Sequence, residues 1–271
     1  MNNKTNAILL AVVLSNPIAA MADKSEYNAF NPTPKNEWRE MSADRPDITE
    51  SPITVDAGVW QIEGSFFDYV SVDDDNEEFH LLPVNIKLGL SHNMDLQLVL
   101  EPHIHLESNG EDTSGLGDTQ IRLKINFWGN DEGNTALGLM PFIKLPTAAD
   151  GLGNDEVEGG IILPYGTSIN DQLGLGLMLE LDAVYNAASD DYDFNTVVSA
   201  VLGYDAGNNI GFYLEGVIDA AEESENDLES KLGVGVTYSL NDSMTFDVGC
   251  NVGLTDGMDD YNIFSGITFR I

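Results

Sequence analysis

Glu101, His103 and His105 are the residues whose types and spacing point most directly to chemistry. They alternate along the sequence, so in an extended strand their side chains would share one face. Imidazole and carboxylate groups brought together in this way can bind a metal ion. Ordinary polar lining of an enclosed surface accounts for the same residues, and we favour it because the sequence shows no further ligand close by. We therefore predict neither a bound metal nor a cofactor.

Catalytic chemistry has little support in this sequence. The chain contains no Gly-x-Ser-x-Gly segment of the kind that presents a nucleophilic serine. His92 falls in a predicted turn and His80 near the end of a predicted strand, and we can name no nucleophile beside either of them. We therefore predict that the protein is not an enzyme.

Charged residues on a series of alternating segments form a second chemical pattern. Most lie on the less apolar face of their segment, with cations on early segments and carboxylates mainly on later ones. If the segments enclose a common interior, the two groups create an electric field across it, as walls of charge do in pores. An ion-paired interior that is filled and closed is the alternative. The ten residues are Lys87, Arg122, Lys124, Lys144, Glu101, Glu180, Asp182, Glu215, Asp219 and Asp247.

The segment Leu173–Tyr185 indicates how such residues are positioned. Its odd-numbered residues are apolar, whereas its even-numbered residues include Glu180 and Asp182. A period of two residues predicts a β-strand with two different faces. A soluble sandwich would bury the apolar face, whereas a membrane barrel would turn that face towards lipid and leave the polar face in a wet lumen.

About twelve alternating segments of this kind follow residue 58, and most have the length that a tilted membrane strand needs. Short connections rich in Asn, Asp and Gly alternate with longer acidic ones, which is typical of outer-membrane barrels but not of Greek-key sandwiches. The predicted strands are Val59–Val70, Phe79–Leu90, Asp95–Leu106, Thr119–Trp128, Thr135–Leu145, Val157–Ile169, Leu173–Tyr185, Phe194–Asp205, Ile210–Ala221, Leu228–Ser239, Met244–Leu254 and Tyr261–Ile271. We therefore predict an all-β fold, a transmembrane antiparallel up-and-down β-barrel of about 12 strands.

The start of the chain and its bulk charge agree with export to a membrane. Residues 1–22 are typical of a secretory signal peptide, with Lys4, the short apolar stretch Ala7–Leu14 and an Ala-x-Ala site that ends at Ala22. The 46 acidic and 11 basic residues give a net charge of -35, which excludes a nucleic-acid partner. Cys250 is the single cysteine, so no intramolecular disulfide is possible. We predict localisation in the outer membrane of a Gram-negative bacterium, in contact with the lipid bilayer and lipopolysaccharide.

Residues 23–57 differ from the rest of the mature chain because they are polar, contain prolines and show no alternation. We predict that they form a periplasmic or lumen-lining leader and that residues 58–271 form the barrel. Arg45, Asp47 and Glu50 lie just before the first strand and could constrain a pore at its periplasmic mouth. We favour a salt-bridged periplasmic clasp that helps to close the barrel, because partly buried ion pairs fix geometry more reliably than they add stability.

Three motifs resemble one known family. Positions 45–63 carry the first motif, Gly115–Asp118 with Arg122, Lys124 and positions 126–131 the second, and Lys144–Thr147 with Gly159, Gly160, Leu163 and Pro164 the third. Together they resemble the outer-membrane transporter-like family of meta-pathway phenol degradation proteins, over most of the mature chain. The resemblance implies an outer-membrane barrel that passes small, often aromatic, compounds, and it implies no catalytic residues.

The longer connections contain clusters of carboxylates that could bind Ca²⁺ or Mg²⁺ through oxygen ligands. They do not match the spacing of an EF-hand loop. We favour a solvated, repulsive rim at the cell surface, where divalent cations could bridge the acids to lipid phosphates. The acids are Asp73–Asp75, Glu77 and Glu78 in one connection, and Glu222, Glu223, Glu225 and Asp227 in another.

Two functions remain open at this point. The first is an outer-membrane channel or transporter that passively admits a small-molecule solute, an organic and often aromatic compound. The second is a structural or surface-exposed barrel with a plugged lumen and acidic extracellular loops. A barrel of about twelve strands lies between those filled by side chains and those that hold a water channel.

Overall fold

The computed structural model describes residues 24–221 and 228–271, and these residues form fifteen β-strand segments and two short 3-10 helices. The helices, Lys24–Glu26 and Lys35–Glu37, do not approach the length or hydropathy of a membrane span. The strand segments are β1 Trp60–Asp73, β2 Asn76–Leu81, β3 Val84–Ser91, β4 Met94–Leu100, β5 His103–Ser108, β6 Glu111–Gly115, β7 Thr119–Trp128, β8 Thr135–Leu145, β9 Glu158–Ser168, β10 Leu173–Asn186, β11 Asp191–Gly207, β12 Ile210–Ala221, β13 Glu229–Asn241, β14 Met244–Gly253 and β15 Tyr261–Arg270. The predicted signal peptide, residues 1–22, and the acids Glu222, Glu223, Glu225 and Asp227 lie outside the described residues.

The segments form one closed antiparallel barrel. From β7 to β15 each segment pairs with the next, β1 to β7 pair in the order β7-β4-β3-β1-β2-β5-β6, and β15 pairs with β1, with Ile62 opposite Phe269. Three of the barrel strands consist of two segments each, namely β2 with β3, β4 with β5, and β6 with β7. Counted in this way, the described residues form the predicted up-and-down barrel of twelve strands.

Interruptions within three barrel strands change which residues face inward. Leu82, before Pro83, has a φ of 58°, and Pro102 follows the end of β4, where proline removes a backbone donor. In β4 the inward residues are odd-numbered, such as the fully buried Gln97, but in β5 the even-numbered Ile104 is buried. The predicted continuous strands Phe79–Leu90 and Asp95–Leu106 are therefore wrong in this respect.

Two of the predicted acidic loops are tight hairpins. β1 and β2 are separated only by residues 74 and 75, so Asp73, Glu77 and Glu78 belong to strands. β5 and β6 are joined by Asn109 and Gly110, whose φ angles of 52° and 80° are those of a two-residue hairpin turn. The predicted loop over residues 107–118 therefore contains β6. Strand pairing extends up to each two-residue turn, because β1 pairs with β2 and β5 pairs with β6 directly beside it.

The distribution of polarity is the reverse of that in a soluble protein. The largest fully buried side chains include Lys87, Lys124, Glu63 and Glu215, all of which face the lumen. Leucine, isoleucine and valine side chains on the opposite faces of the strands are exposed, for example Leu214 of β12 and Val234 of β13. A soluble sandwich would place the apolar side chains inside. A polar interior within an apolar wall is the arrangement of a barrel that spans a membrane.

We predict that a charge on the outer wall destabilises the barrel. Val234→Arg should lower the free energy of unfolding in lipid vesicles by roughly 2–4 kcal/mol, because the arginine must enter the hydrocarbon. Val234→Leu is the matched control and should change it by less than about 1.5 kcal/mol. Urea titration of the folded protein measures both values. Equal effects of the two substitutions would contradict the outward assignment of this face.

Candidate functional site

The barrel lumen is occupied by residues 24–59, which we call the leader. The leader starts at the end of the barrel that carries the short turns, where Asn28 forms a bridge with Ser91. It rises into the lumen to an apex at residues 45–50 and returns to the same end before β1. At the apex and on the return, Thr49 and Ser51 are fully buried. The leader is therefore the main occupant of the lower lumen.

An arginine anchors the leader at the end with the short turns, which we call the turn end. Arg39 donates two hydrogen bonds of 2.9 Å to Asp131, which lies in the turn between β7 and β8. Its backbone N–H donates to Asp56 at 2.7 Å, which ties the rising and returning halves of the leader together. Lys24 also donates to Asp131, at 3.0 Å. Such paired, charge-assisted hydrogen bonds fix position strongly.

The charge of Asp131 is retained over a wide pH range. Burial on its own would raise the pKa of this carboxyl, but hydrogen bonds and charge from Arg39 and Lys24 outweigh burial and lower it. A carboxyl with a lowered pKa in the folded state contributes stability that is present above its unfolded pKa and lost as pH falls through the folded value. The anchor therefore persists at neutral and mildly acidic pH.

Asp44 is the central contact of the leader with the barrel wall. The Lys124 Nζ lies 2.5 Å from Asp44 Oδ1, and Lys87 donates to the other oxygen of Asp44 and to Glu63. Glu63 in turn accepts the Asp44 backbone N–H at 3.0 Å. All four side chains are almost completely buried. Two of the predicted wall cations are therefore neutralised locally.

The other two predicted wall cations are also paired. Arg122 donates to Glu50 of the leader at 2.7 Å. Lys144 contacts Glu158 of β9 and lies 3.8 Å from Asp118, so its partners belong to the wall and not to the leader. These pairs weaken the predicted field across the lumen, because each cation has a carboxylate beside it.

The apex of the leader contacts the opposite wall. The Arg45 guanidinium donates to both oxygens of Asp247, at 3.1 and 2.6 Å, and to Ser65 at 2.7 Å. Glu215 accepts the backbone N–H groups of Ile48 and Thr49, at 2.9 and 2.8 Å. Thus Asp247 and Glu215, both predicted wall residues, hold the apex through hydrogen bonds that a carboxylate accepts well.

The structure places the predicted clasp residues inside the lumen. Arg45 pairs with Asp247 of β14 and Glu50 pairs with Arg122 of β7. Asp47, which lies between them in the sequence, is buried. They do not pair with one another, and they are far in sequence from their partners. The geometry is that of a segment braced across the lumen, not of a clasp at its mouth.

Four further predicted wall carboxylates have separate environments. Glu101 lies 3.4 Å from His80, which pairs with the inward Ile104 of β5. His103 and His105 alternate with Ile104 and face outward, so the predicted lumen face that they share with Glu101 is wrong. No group in residues 24–221 and 228–271 is arranged to hold a metal ion.

Glu180, Asp182 and Asp219 face the upper lumen from β10 and β12 and form no ion pair with a described residue. They leave a local excess of negative charge there.

Sequence reasoning missed Asp44 and Gly89. A Cβ on Gly89 would lie 1.9 Å from the backbone oxygen of Asp56, so the absence of a side chain allows the leader to contact β3. The neighbouring Ala57 forms a parallel bridge with Gly89. A glycine on the same strand face as Lys87 was the available signal, although glycines elsewhere in the strands have other causes.

Comparison with known proteins agrees with this architecture. The model of a family described as "Putative MetA-pathway of phenol degradation" matches residues 43–271. The structure of the COG4313 outer membrane channel from Pseudomonas putida F1 is similar, with a TM-score of 0.63, 10% identity, and coverage of 84% of this chain and 100% of that chain.

Two porins show a weaker likeness. NanC porin has a TM-score of 0.53 and 9% identity, covering 79% of this chain and 100% of its own. KdgM porin has a TM-score of 0.51 and 7% identity, with 77% and 98% covered. Identities this low show a common fold alone. No curated protein sequence matches the chain.

We predict that Gly89→Ala displaces the leader. The added methyl group cannot fit against Asp56, and such overpacking typically costs about 1–3 kcal/mol. Trypsin should therefore cut the leader of the folded variant about tenfold faster than that of the natural protein, with the barrel intact. Gly216→Ala is the matched control, because a Cβ there meets nothing within 4 Å. A leader equally resistant in both variants would contradict the proposed close contact.

We also predict that loss of Asp44 destabilises the folded protein. Asp44→Ala should cost roughly 3–5 kcal/mol, because it removes the closest ion-pair partner of the buried Lys124 and leaves Glu50 at 4.0 Å. Urea unfolding of the protein in detergent micelles measures the loss. Asp242→Ala removes an exposed carboxylate from a turn and should change stability by about 0.5 kcal/mol or less. Indistinguishable unfolding curves for the two variants would show that the buried ion pairs are not needed.

Proposed function

The chain belongs to the family described as "Putative MetA-pathway of phenol degradation", and from this membership we propose that it is an outer-membrane channel. In this proposal it passively admits small organic compounds, including aromatic ones, and performs no catalysis. The short turns of the barrel face the periplasm and the longer connections face the exterior, as in other outer-membrane barrels.

One observation carries the proposal: a closed barrel with an apolar outer wall encloses many polar and charged inward residues. A protein that only needed to be stable in lipid could fill its interior with apolar side chains, as the packed cores of small barrels do. Polar lining is costly unless it is hydrated or paired, so the carboxylates of Glu180, Asp182 and Asp219, which form no ion pair with a described residue, support a hydrated lumen. The similar solved structures are themselves described as a channel and as porins.

The leader narrows the path in this proposal. Ion pairs and hydrogen bonds hold most of it, so water that enters when the whole leader shifts can hydrate the separated ions together. A leader held by apolar packing would offer no such exchange, since each exposed apolar surface would cost free energy. The leader thus restricts passage to small compounds and keeps the resting conductance low.

A plugged barrel that serves as a surface structure is the second candidate. The buried contacts of Asp44 with Lys87 and Lys124 favour it, because breaking buried ion pairs one partner at a time is expensive. In that case the lumen carries no solute and the outer connections are the functional part. The two candidates differ in whether ions cross the folded barrel.

Planar-bilayer recording separates these candidates. We expect small discrete conductance steps with a preference for cations, because Glu180, Asp182 and Asp219 have no cationic partner among the described residues. Replacing these three with Gln, Asn and Asn should move the reversal potential in a KCl gradient towards zero.

The matched control removes three exposed carboxylates instead, by Glu107→Gln, Glu111→Gln and Glu132→Gln. It should change the reversal potential much less, since exposed charges are screened by salt. A folded protein that gives no conductance steps would favour the plugged barrel. Steps whose selectivity is the same in all three proteins would contradict the inward assignment of Glu180, Asp182 and Asp219.

A further inference from the structure

A cavity of about 270 Å³ lies in the lumen above the apex of the leader. Its floor is formed by the leader residues Arg45, Pro46 and Ile48. Its walls come from β1, β13, β14, β15 and the connection before β15. Pockets for drug-sized ligands are usually about 300–1,000 Å³, so this cavity suits a smaller molecule with a single ring.

Lys231 distinguishes this cavity from the lower lumen. Lys87, Arg122, Lys124 and Lys144 are all paired with carboxylates, whereas the side chain of Lys231 forms no ion pair or hydrogen bond with any described residue. Arg45, the other cation of the lining, already donates to Asp247 and Ser65. The Lys231 ammonium is therefore the cationic group that remains available to a ligand.

Asp259 supplies a carboxylate to the same cavity. Its side chain also has no hydrogen bond or ion pair within residues 24–221 and 228–271, and it lines the same cavity as Lys231. The other carboxylate of the lining, Asp68, already accepts a hydrogen bond from Asn262. A free ammonium and a free carboxylate thus border one space without contacting each other.

This pair of charges selects against charged ligands. An anion attracted by Lys231 would approach Asp259, and a cation attracted by Asp259 would approach Lys231. A neutral hydroxyl group avoids both penalties, because it accepts a hydrogen bond from the ammonium and donates one to the carboxylate. Hydrogen bonds to charged partners are also the stronger ones.

Apolar groups complete the cavity. The Phe264 ring, together with Ile48 and Val70, lines it beside the charged pair. An aromatic ring can pack against such groups while its hydroxyl reaches the two charges. Other small alcohols could make the polar contacts but would bury less apolar surface here.

We propose that this cavity is a binding site for a small, uncharged hydroxyl-bearing aromatic compound, with Lys231 and Asp259 as the hydroxyl partners and Phe264 as a ring contact. The inference rests on the proposed channel function, since it names the class of compound that would bind above the leader on its way through the lumen. Phenol itself is the simplest probe, because a phenolic hydroxyl with a pKa of about 10 is neutral at pH 7.

Isothermal titration calorimetry of the purified full chain in detergent micelles tests the site, with empty micelles as the blank. Phenol should bind saturably, and benzoate, benzylammonium and anisole should each bind at least about tenfold more weakly. Anisole is the closest comparison, because its methyl ether can accept but not donate a hydrogen bond. Tighter binding of benzoate or of benzylammonium than of phenol would overturn the proposal.

Two variants assign the binding to this cavity. Lys231→Met and Asp259→Asn should each weaken phenol binding by about tenfold. Lys35→Met makes the same change at an exposed lysine near the turn end and should leave binding unchanged. Because Asp259 lies in a connection, its variant tests the site even if Lys231→Met does not fold. Unchanged phenol affinity in folded Asp259→Asn, or absence of saturable binding, would overturn the proposal.

The outcome is distinguishable from failure of the channel proposal. Conductance steps without phenol binding would leave the channel and remove this site. Saturable, Asp259-dependent binding to a barrel that gives no steps would leave the site and remove the channel.

Discussion

The contact of Asp44 with two buried lysines is the interaction on which the rest of the lumen depends. Lys87 has a second carboxylate in Glu63, but Lys124 has no partner as close as Asp44. A buried cation without a counter-charge costs several kcal/mol, so the barrel wall and the leader complete each other. The leader carboxylate of Asp44 makes it possible to bury the wall cations, and the wall cations in turn fix the position of the leader.

These ion pairs fix the position of the leader in the lumen more than they add to the free energy that holds it there. Removing one partner leaves a buried charge, whereas moving the whole leader would let water enter and hydrate all the ions at once. Most apex contacts are of this polar kind, including the hydrogen bonds from Ile48 and Thr49 to Glu215, although the Ile48 side chain packs against apolar lumen residues. The leader therefore has a defined position in the lumen, and most of the contacts that hold it are ones that water can replace.

Alternation and turn composition were enough to predict the barrel from the sequence. The strands Thr135–Leu145 and Ile210–Ala221 have the predicted bounds because turn-forming residues flank them. The inward direction beyond Pro83 and Pro102 was not predictable, because it depends on single backbone angles such as that of Leu82. Nor was the site: Asp44 and Lys124 are 80 residues apart, and a local period carries no information about such a pair.

The height that the leader reaches divides the lumen into two chemical environments. Below the apex, leader carboxylates pair with wall cations, and the leader fills much of the lumen. Above it the leader supplies no partners, so the side chains of Lys231, Glu180 and Asp182 form no ion pair with a described residue. The charges of the upper lumen that lack an ion-pair partner in the described part of the chain thus follow from where the leader turns back.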